Sequence, residues 1–135
     1  MKAIMNFESF RIKKIDYLVN NMNDRNESND SASLTLNAGT SEIDEEGTAR
    51  LELELNIGDK GLDYDRTIKV VVIAIFNFEN SESTSNEYLE NLLRINGTAI
   101  VLPYIRSLIS NLTGFDNSTD HILLPALNVE GMFKE

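Results

Sequence analysis

Two neighbouring segments with different hydrophobic periods constrain the fold most. From Ala49 to Ile57, Leu51, Leu53, Leu55 and Ile57 alternate with Arg50, Glu52, Glu54 and Asn56. A period of two is the mark of a strand with one buried and one wetted face. From Arg66 to Phe78 the alternation fails: Ile68, Val70, Val72, Ala74 and Phe76 share one parity, Val71, Ile73 and Ile75 the other. A strand apolar on both sides has to be covered on both sides. The chain between them, beginning Gly58-Asp59-Lys60-Gly61, reads as a turn. Upstream, Asp44-Glu45-Glu46-Gly47 supplies a hairpin turn with Gly available for a positive φ, after a strand predicted over Leu34–Ile43.

A first strand is predicted over Phe7–Val19. Phe10 and Ile12 have one parity and Ile15 and Tyr17 the other, so a β-bulge near Lys13-Lys14 is needed to bring both pairs to one face. Residues 20–33 are polar and rich in Asn and Ser, which makes them a long connection. Four antiparallel strands in a meander follow from this reading.

Helices come next. Thr84-x-x-Glu87 has the form of a capping box, and Tyr88, Leu89, Leu92, Leu93 and Ile95 recur at helical spacing. Asn96-Gly97 is expected to end this short helix, because both residues tolerate the left-handed conformation. A second helix is predicted from Thr98 to Thr113, stopping at Gly114, with a kink at Pro103. Its apolar residues, from Ile100 to Leu112, fill about half of the helical circle, where one sheet needs a stripe of only ~100°. The surplus predicts contact with a second surface. The tail carries Ile122-Leu123-Leu124-Pro125-Ala126-Leu127, read as an extended apolar segment because Pro125 disfavours a helix.

Composition excludes several functional classes. The 135 residues carry 12 Lys and Arg against 22 Asp and Glu, a net charge of −10, which disfavours nucleic acid and anionic membrane surfaces. The charge is uneven: residues 1–25 total +2 and residues 26–135 total −12. Without cysteine there are no disulfides, thiolate metal sites or cysteine nucleophiles. His121 is the lone histidine and sits in a polar run, so catalysis through it is not expected. Asp59, Asp63 and Asp65 do not match a calcium loop, and the seven glycines form no phosphate loop. No cofactor, no metal and no enzymatic activity are expected. With no run of ~18 apolar residues and no signal-peptide core at the N-terminus, the protein is read as cytoplasmic.

The segment from Asn96 to Thr113, with the core Leu102-Pro103-Tyr104-Ile105-Arg106 followed by the pair Ile109-Ser110, resembles the long helix of the SecB family of export chaperones. Leu123 to Phe133 resembles the stretch that follows it there, in which a Pro and an Asn precede an aromatic turn. The resemblance implies a single α+β domain over residues 1–135: a four-stranded antiparallel sheet with a short helix and a long Pro-containing helix packed on it. It implies a homotetramer, a dimer of dimers with these helices between the dimers. It also implies an ATP-independent holdase for hydrophobic segments of unfolded polypeptides, either in export or for an antitoxin in a toxin–antitoxin system. The chain stops after Met132-Phe133 and Lys134-Glu135, and so reads as a short form without the tail that docks on the SecA motor, the partner that resemblance would otherwise imply.

Three groups of site residues follow. Client contacts are expected from Phe10, Ile12, Ile122, Leu123, Leu124, Leu127, Val129, Met132 and Phe133. An oligomer interface is expected from Val101, Ile105, Leu108, Ile109 and Leu112. Glu52 and Glu54, on the wet face of their strand, make a smaller acidic candidate for docking a partner. The competing reading is a non-catalytic oligomeric scaffold whose surplus apolar surface is all subunit interface.

Overall fold

The computed structural model describes residues 4–21, 33–60, 64–82, 84–115, 122 and 124. Strands β1 (Ile4–Asn21), β2 (Ser33–Thr40), β3 (Thr48–Lys60) and β4 (Tyr64–Glu79) form one antiparallel sheet, followed by helices α1 (Asn86–Leu92) and α2 (Thr98–Gly114). The expected α+β architecture is what the chain adopts, but the meander extends only through β2, β3 and β4. The spatial order is β1-β4-β3-β2, a Greek-key arrangement in which the first connection leads from one sheet edge to the other. The physical reason lies in β4. A strand apolar on both faces is best placed inside the sheet, with a neighbour on each side.

β1 bends to stay on the core. Its register against β4 shifts twice, between Phe7 and Ser9 and between Ile12 and Lys14, leaving Glu8 and Lys13 as the extra residues. Each bulge reverses the parity. Met5 and Phe7, then Phe10 and Ile12, then Ile15 and Tyr17 therefore all pair opposite the even-numbered, core-facing residues of β4. The bulge at Lys13 agrees with the sequence reading; the one at Glu8 is additional.

The core lies between the sheet and α2. Leu51, Leu53, Leu55, Val70, Val72, Ala74 and Phe76 from the sheet and Val101, Ile105 and Ile109 from α2 are all fully buried. The Asn86–Gly114 helical span is long and apolar enough, by length and composition, to cross a membrane. Here its apolar stripe is occupied by the sheet.

The other face of β4 is covered differently. Val71 is buried, and Ile73 and Ile75 are half-buried, with no helix over them among the described residues. The Lys13 ammonium reaches Glu52 on β3 at 3.2 Å, so its side chain passes across the outer face of the intervening strand. Lysine stems shield apolar surface in this way while their charged ends stay wet.

The β2–β3 turn is built by Asp44. Its Oδ1 accepts from the Glu46 and Thr48 amides, each at 2.9 Å, and Gly47 takes φ +86° as the turn requires. At the start of α1 the cap is Ser85, whose hydroxyl accepts from the Tyr88 amide at 3.2 Å, one residue after the Thr84 expected from the capping-box pattern. Asn96-Gly97 does not break the helix. Leu93–Gly97 forms a π-helical turn that leads straight into α2, and Gly97 keeps a right-handed φ of −61°. Its value is space: a Cβ there would stand 3.0 Å from Leu51 Cδ2 and 3.4 Å from the Phe76 ring. The helix continues through Pro103, which faces the exposed side.

Candidate functional site

α2 has a wider apolar arc than the sheet can bury. Val101, Ile105 and Ile109 point straight into the core and are 0% exposed. They are therefore core residues of a single chain and not the outward interface expected of them, since a side chain enclosed by its own sheet presents nothing to a second subunit. Leu108 and Leu112 are half-buried on the flank. The part of the arc that remains open is Ile100 and Tyr104, 37% and 49% exposed.

This flank meets β1. The Tyr104 ring stacks on Phe10 at 5.3 Å between centroids and lies 6.0 Å from Phe7, whose ring in turn contacts the buried Phe76 at 5.4 Å. Beyond Phe10 the same face of β1 runs past the helix. Ile12, Ile15 and Val19 share that face and are 45%, 37% and 38% exposed. The result is a continuous apolar strip from the α2 flank along an edge strand whose outer main-chain groups have no strand partner among the described residues. Phe10 and Ile12 were expected to contact clients; Tyr104, Ile100, Ile15 and Val19 were not. The parity switch at Lys13 was the signal for Ile15 and Val19.

The tail residues lie elsewhere. Leu124 is buried in the chain's own core cluster and Ile122 packs against it. Neither stands as an open wall beside Phe10 and Ile12. They are held on the opposite flank of α2: the Ile122 amide donates to Thr113 Oγ1 at 2.8 Å, and Arg106 Nε donates to the Leu124 carbonyl at 3.3 Å. Leu123, Leu127, Val129, Met132 and Phe133, like His121, lie outside the described residues. Thr113 and Arg106 were not singled out from sequence. Their spacing of seven, which stacks two polar groups on one helix flank, was the available signal.

The acidic candidates are matched within the chain. Glu52 pairs with Lys13, and Glu54 with Lys69 at 3.7 Å while also accepting from Asn56 at 3.3 Å. They line the outer face of the sheet, beside a concavity of about 640 Å³ bordered by Asp16, Leu18, Asn56, Thr67 and Lys69. At the end of β3 and β4, Arg66 is buried and both its Nε and Nη2 donate to Asp59 Oδ2, at 3.1 and 2.7 Å. Burial by itself would lower the guanidinium's pKa, but the bonds and the attraction of Asp59 carry it above the ordinary value. This pair fastens the hairpin. Among the described residues no group of His, Cys, Asp or Glu is arranged to hold a metal ion.

No family model matches the chain. MJ0357, an uncharacterized protein of Methanocaldococcus jannaschii, is 25% identical over 135 residues, covering 97% of this chain and 83% of that protein. Among solved structures, the Rv1957 SecB-like chaperone of Mycobacterium tuberculosis, in complex with a ChAD peptide from the Rv1956 HigA1 antitoxin, superposes with a TM-score of 0.71 at 15% identity. The match covers 91% of this chain and 90% of that one. A Streptococcus agalactiae protein of unknown function superposes with a TM-score of 0.57 at 15% identity, over 93% of this chain and 100% of the other. The likeness first read from the Leu-Pro-Tyr-x-Arg segment of one helix extends to the four-stranded antiparallel sheet and the helix that covers it: the chain has the SecB-like fold.

Proposed function

We propose that the protein is an ATP-independent holdase that binds extended hydrophobic segments of unfolded polypeptides, an antitoxin among them, and is not an enzyme. The observation that carries this reading is the open apolar strip of Ile100, Tyr104, Ile12, Ile15 and Val19. Large side chains left in water on a folded chain call for a partner. A partner bound through apolar area gains about 1.5–3 kcal/mol for each large side chain fully buried, with little demand on its sequence. The peptide-bound state of the Rv1957 chaperone supports the same assignment. The cytoplasm is the proposed compartment. A homotetramer, assembled as a dimer of dimers, is the proposed working form, and delivery to the SecA motor in export is the alternative setting to toxin–antitoxin control.

The test is suppression of aggregation of an unfolded client at stoichiometric ratio, without nucleotide and with chelator present. Ile15→Asp and Tyr104→Asp should each weaken suppression at least about tenfold in the protein concentration required, a difference of 1.4 kcal/mol. A requirement for ATP, or suppression unchanged in both variants, refutes the reading. The exposed edge of β1 also favours the scaffold reading, in which the strip is wholly subunit interface. In that case the assembled protein leaves client aggregation untouched, and the two variants change only its oligomeric state.

A further inference from the structure

We infer that the outer face of the sheet, turned away from α2, docks an acidic amphipathic helix of another protein, with the aliphatic row of β4 as its floor and Arg11 and Arg50 as anchors for its carboxylates. The inference goes beyond the holdase reading and concerns the face of the sheet opposite the apolar strip.

Charge complementarity selects the partner. Val71, Ile73 and Ile75 stand opposite Lys14, Arg11 and Ser9 of β1 and opposite Glu54, Glu52 and Arg50 of β3. With the bulged Lys13, four cations and two carboxylates surround the row, a local balance of +2 on a chain whose net charge is −10. Both carboxylates are already matched, Glu52 by Lys13 and Glu54 by Lys69, and Lys14 is paired with Asp16 at 3.3 Å. The guanidiniums of Arg11 and Arg50 are exposed and have no acceptor among the described residues. What this face lacks is negative charge, and arginine holds a carboxylate through two parallel bonds.

The floor selects a helix. β4 has a strand on each side, so its main chain offers no ladder to a newcomer on its face. An extended segment lying there would leave its own main-chain groups unmatched, whereas a helix satisfies them internally. Arg11 and Arg50 are separated by two strand spacings and one two-residue step, about 12 Å between Cα atoms. Residues i and i+7 of a helix are about 10.5 Å apart, with i+3 and i+4 between them on the same face. Glutamates at i and i+7 then reach the two guanidiniums while aliphatic side chains at i+3 and i+4 meet Ile73 and Ile75. The Lys13 stem that crosses this row is held by an exposed ion pair, which is weak and easily moved aside.

The probe is a fluorescein-labelled, end-blocked peptide of Ala, Leu and Glu, about 18 residues long so that it forms helix in water, with leucines at i+3 and i+4 between glutamates at i and i+7. It is titrated into the full chain and followed by anisotropy, with methyl NMR of Ile73 and Ile75 in the same samples. Binding should shift those methyls, leave the Ile15 methyls in place and weaken as salt is raised. Arg11→Glu with Arg50→Glu should lower the affinity at least about tenfold and turn the preference toward a peptide carrying Lys for Glu. The inference is overturned by no binding, by equal binding of the Lys peptide or of a Pro-interrupted acidic peptide, or by unchanged affinity in the double variant. Self-association of the chain alone that the double variant abolishes would assign the face to a second copy and also overturns it. Suppression of client aggregation should persist in the double variant; its loss would make this face part of the client site and sink the inference as stated.

Discussion

The Phe10 ring of β1 stacks on the Tyr104 ring of α2, with centroids 5.3 Å apart and planes 28° from parallel. The contact joins the edge strand to the helix at the head of the exposed apolar strip. Aromatic pairs of this kind contribute about 0.5–1.5 kcal/mol beyond their buried area. A double-mutant cycle of Phe10→Ala and Tyr104→Ala, read by urea unfolding, should return a coupling in that range. Additive effects would show that the rings act independently.

Gly97 is required by proximity. Gly97→Val should cost about 1–3 kcal/mol through overpacking against Leu51 and Phe76, although it introduces a residue that forms helix more readily. Leu51→Ala alone should cost about 2–5 kcal/mol. Together they should cost less than the sum, because the shortened side chain vacates the space the valine needs. Thermal unfolding by circular dichroism measures all three.

Gly47 and Gly39 should respond in opposite directions. At Gly47, with φ +86°, an added Cβ would lie 2.5 Å from the Phe78 carbonyl oxygen, so Gly47→Ala should destabilise by about 1–3 kcal/mol. At Gly39 nothing lies within 4 Å of an added Cβ and the backbone is that of a strand, so Gly39→Ala should stabilise by about 0.4–1 kcal/mol. Chemical denaturation of the two variants side by side gives the comparison.

The Arg66–Asp59 pair makes a fourth stability test. The Arg66 side chain is 7% exposed and that of Asp59 32%. Asp59→Asn leaves the enclosed guanidinium charged and exchanges its carboxylate partner for a neutral amide oxygen. A loss of about 1.5–3 kcal/mol is expected, the range for hydrogen bonds to charged groups. Lys13→Ala removes a surface pair and should cost no more than about 1 kcal/mol. Midpoints in urea should rank the two variants in that order.

The sheet was legible because its signals are local and redundant. Four alternating residues on β3 announce a half-buried strand, and the two apolar faces of β4 announce one covered on both sides. The strand order was not legible, since parity says which face is buried and nothing about which neighbour sits alongside. Gly97 was misread for a related reason. A glycine that ends a helix and a glycine that admits a leucine from another element look alike in one dimension. The apolar arc of α2 correctly signalled a surplus, but arc width alone does not say which residues are in excess. The sheet takes Val101, Ile105 and Ile109 and leaves Ile100 and Tyr104. For Ile122 and Leu124, an apolar run after a polar loop carries no mark of whether it folds back on its own chain or stands beside a groove. Arg106 and Thr113 decide that, and they lie on a helix earlier in the chain.

The two bulges of β1 determine where that strand can change its length. Removing any regularly paired residue, Arg11 for instance, would turn every apolar side chain on one side of the cut to the wrong face. Glu8 and Lys13 are the exceptions, because neither has a partner on β4. Deleting Lys13 leaves Ile12 opposite Val72, Lys14 opposite Val71 and Ile15 opposite Val70, a regular strand with its core face intact and its bend relaxed. Single-residue gaps in this otherwise unforgiving strand are thus confined to two positions, and a chain that had lost either residue would still present the same apolar strip along a straighter edge.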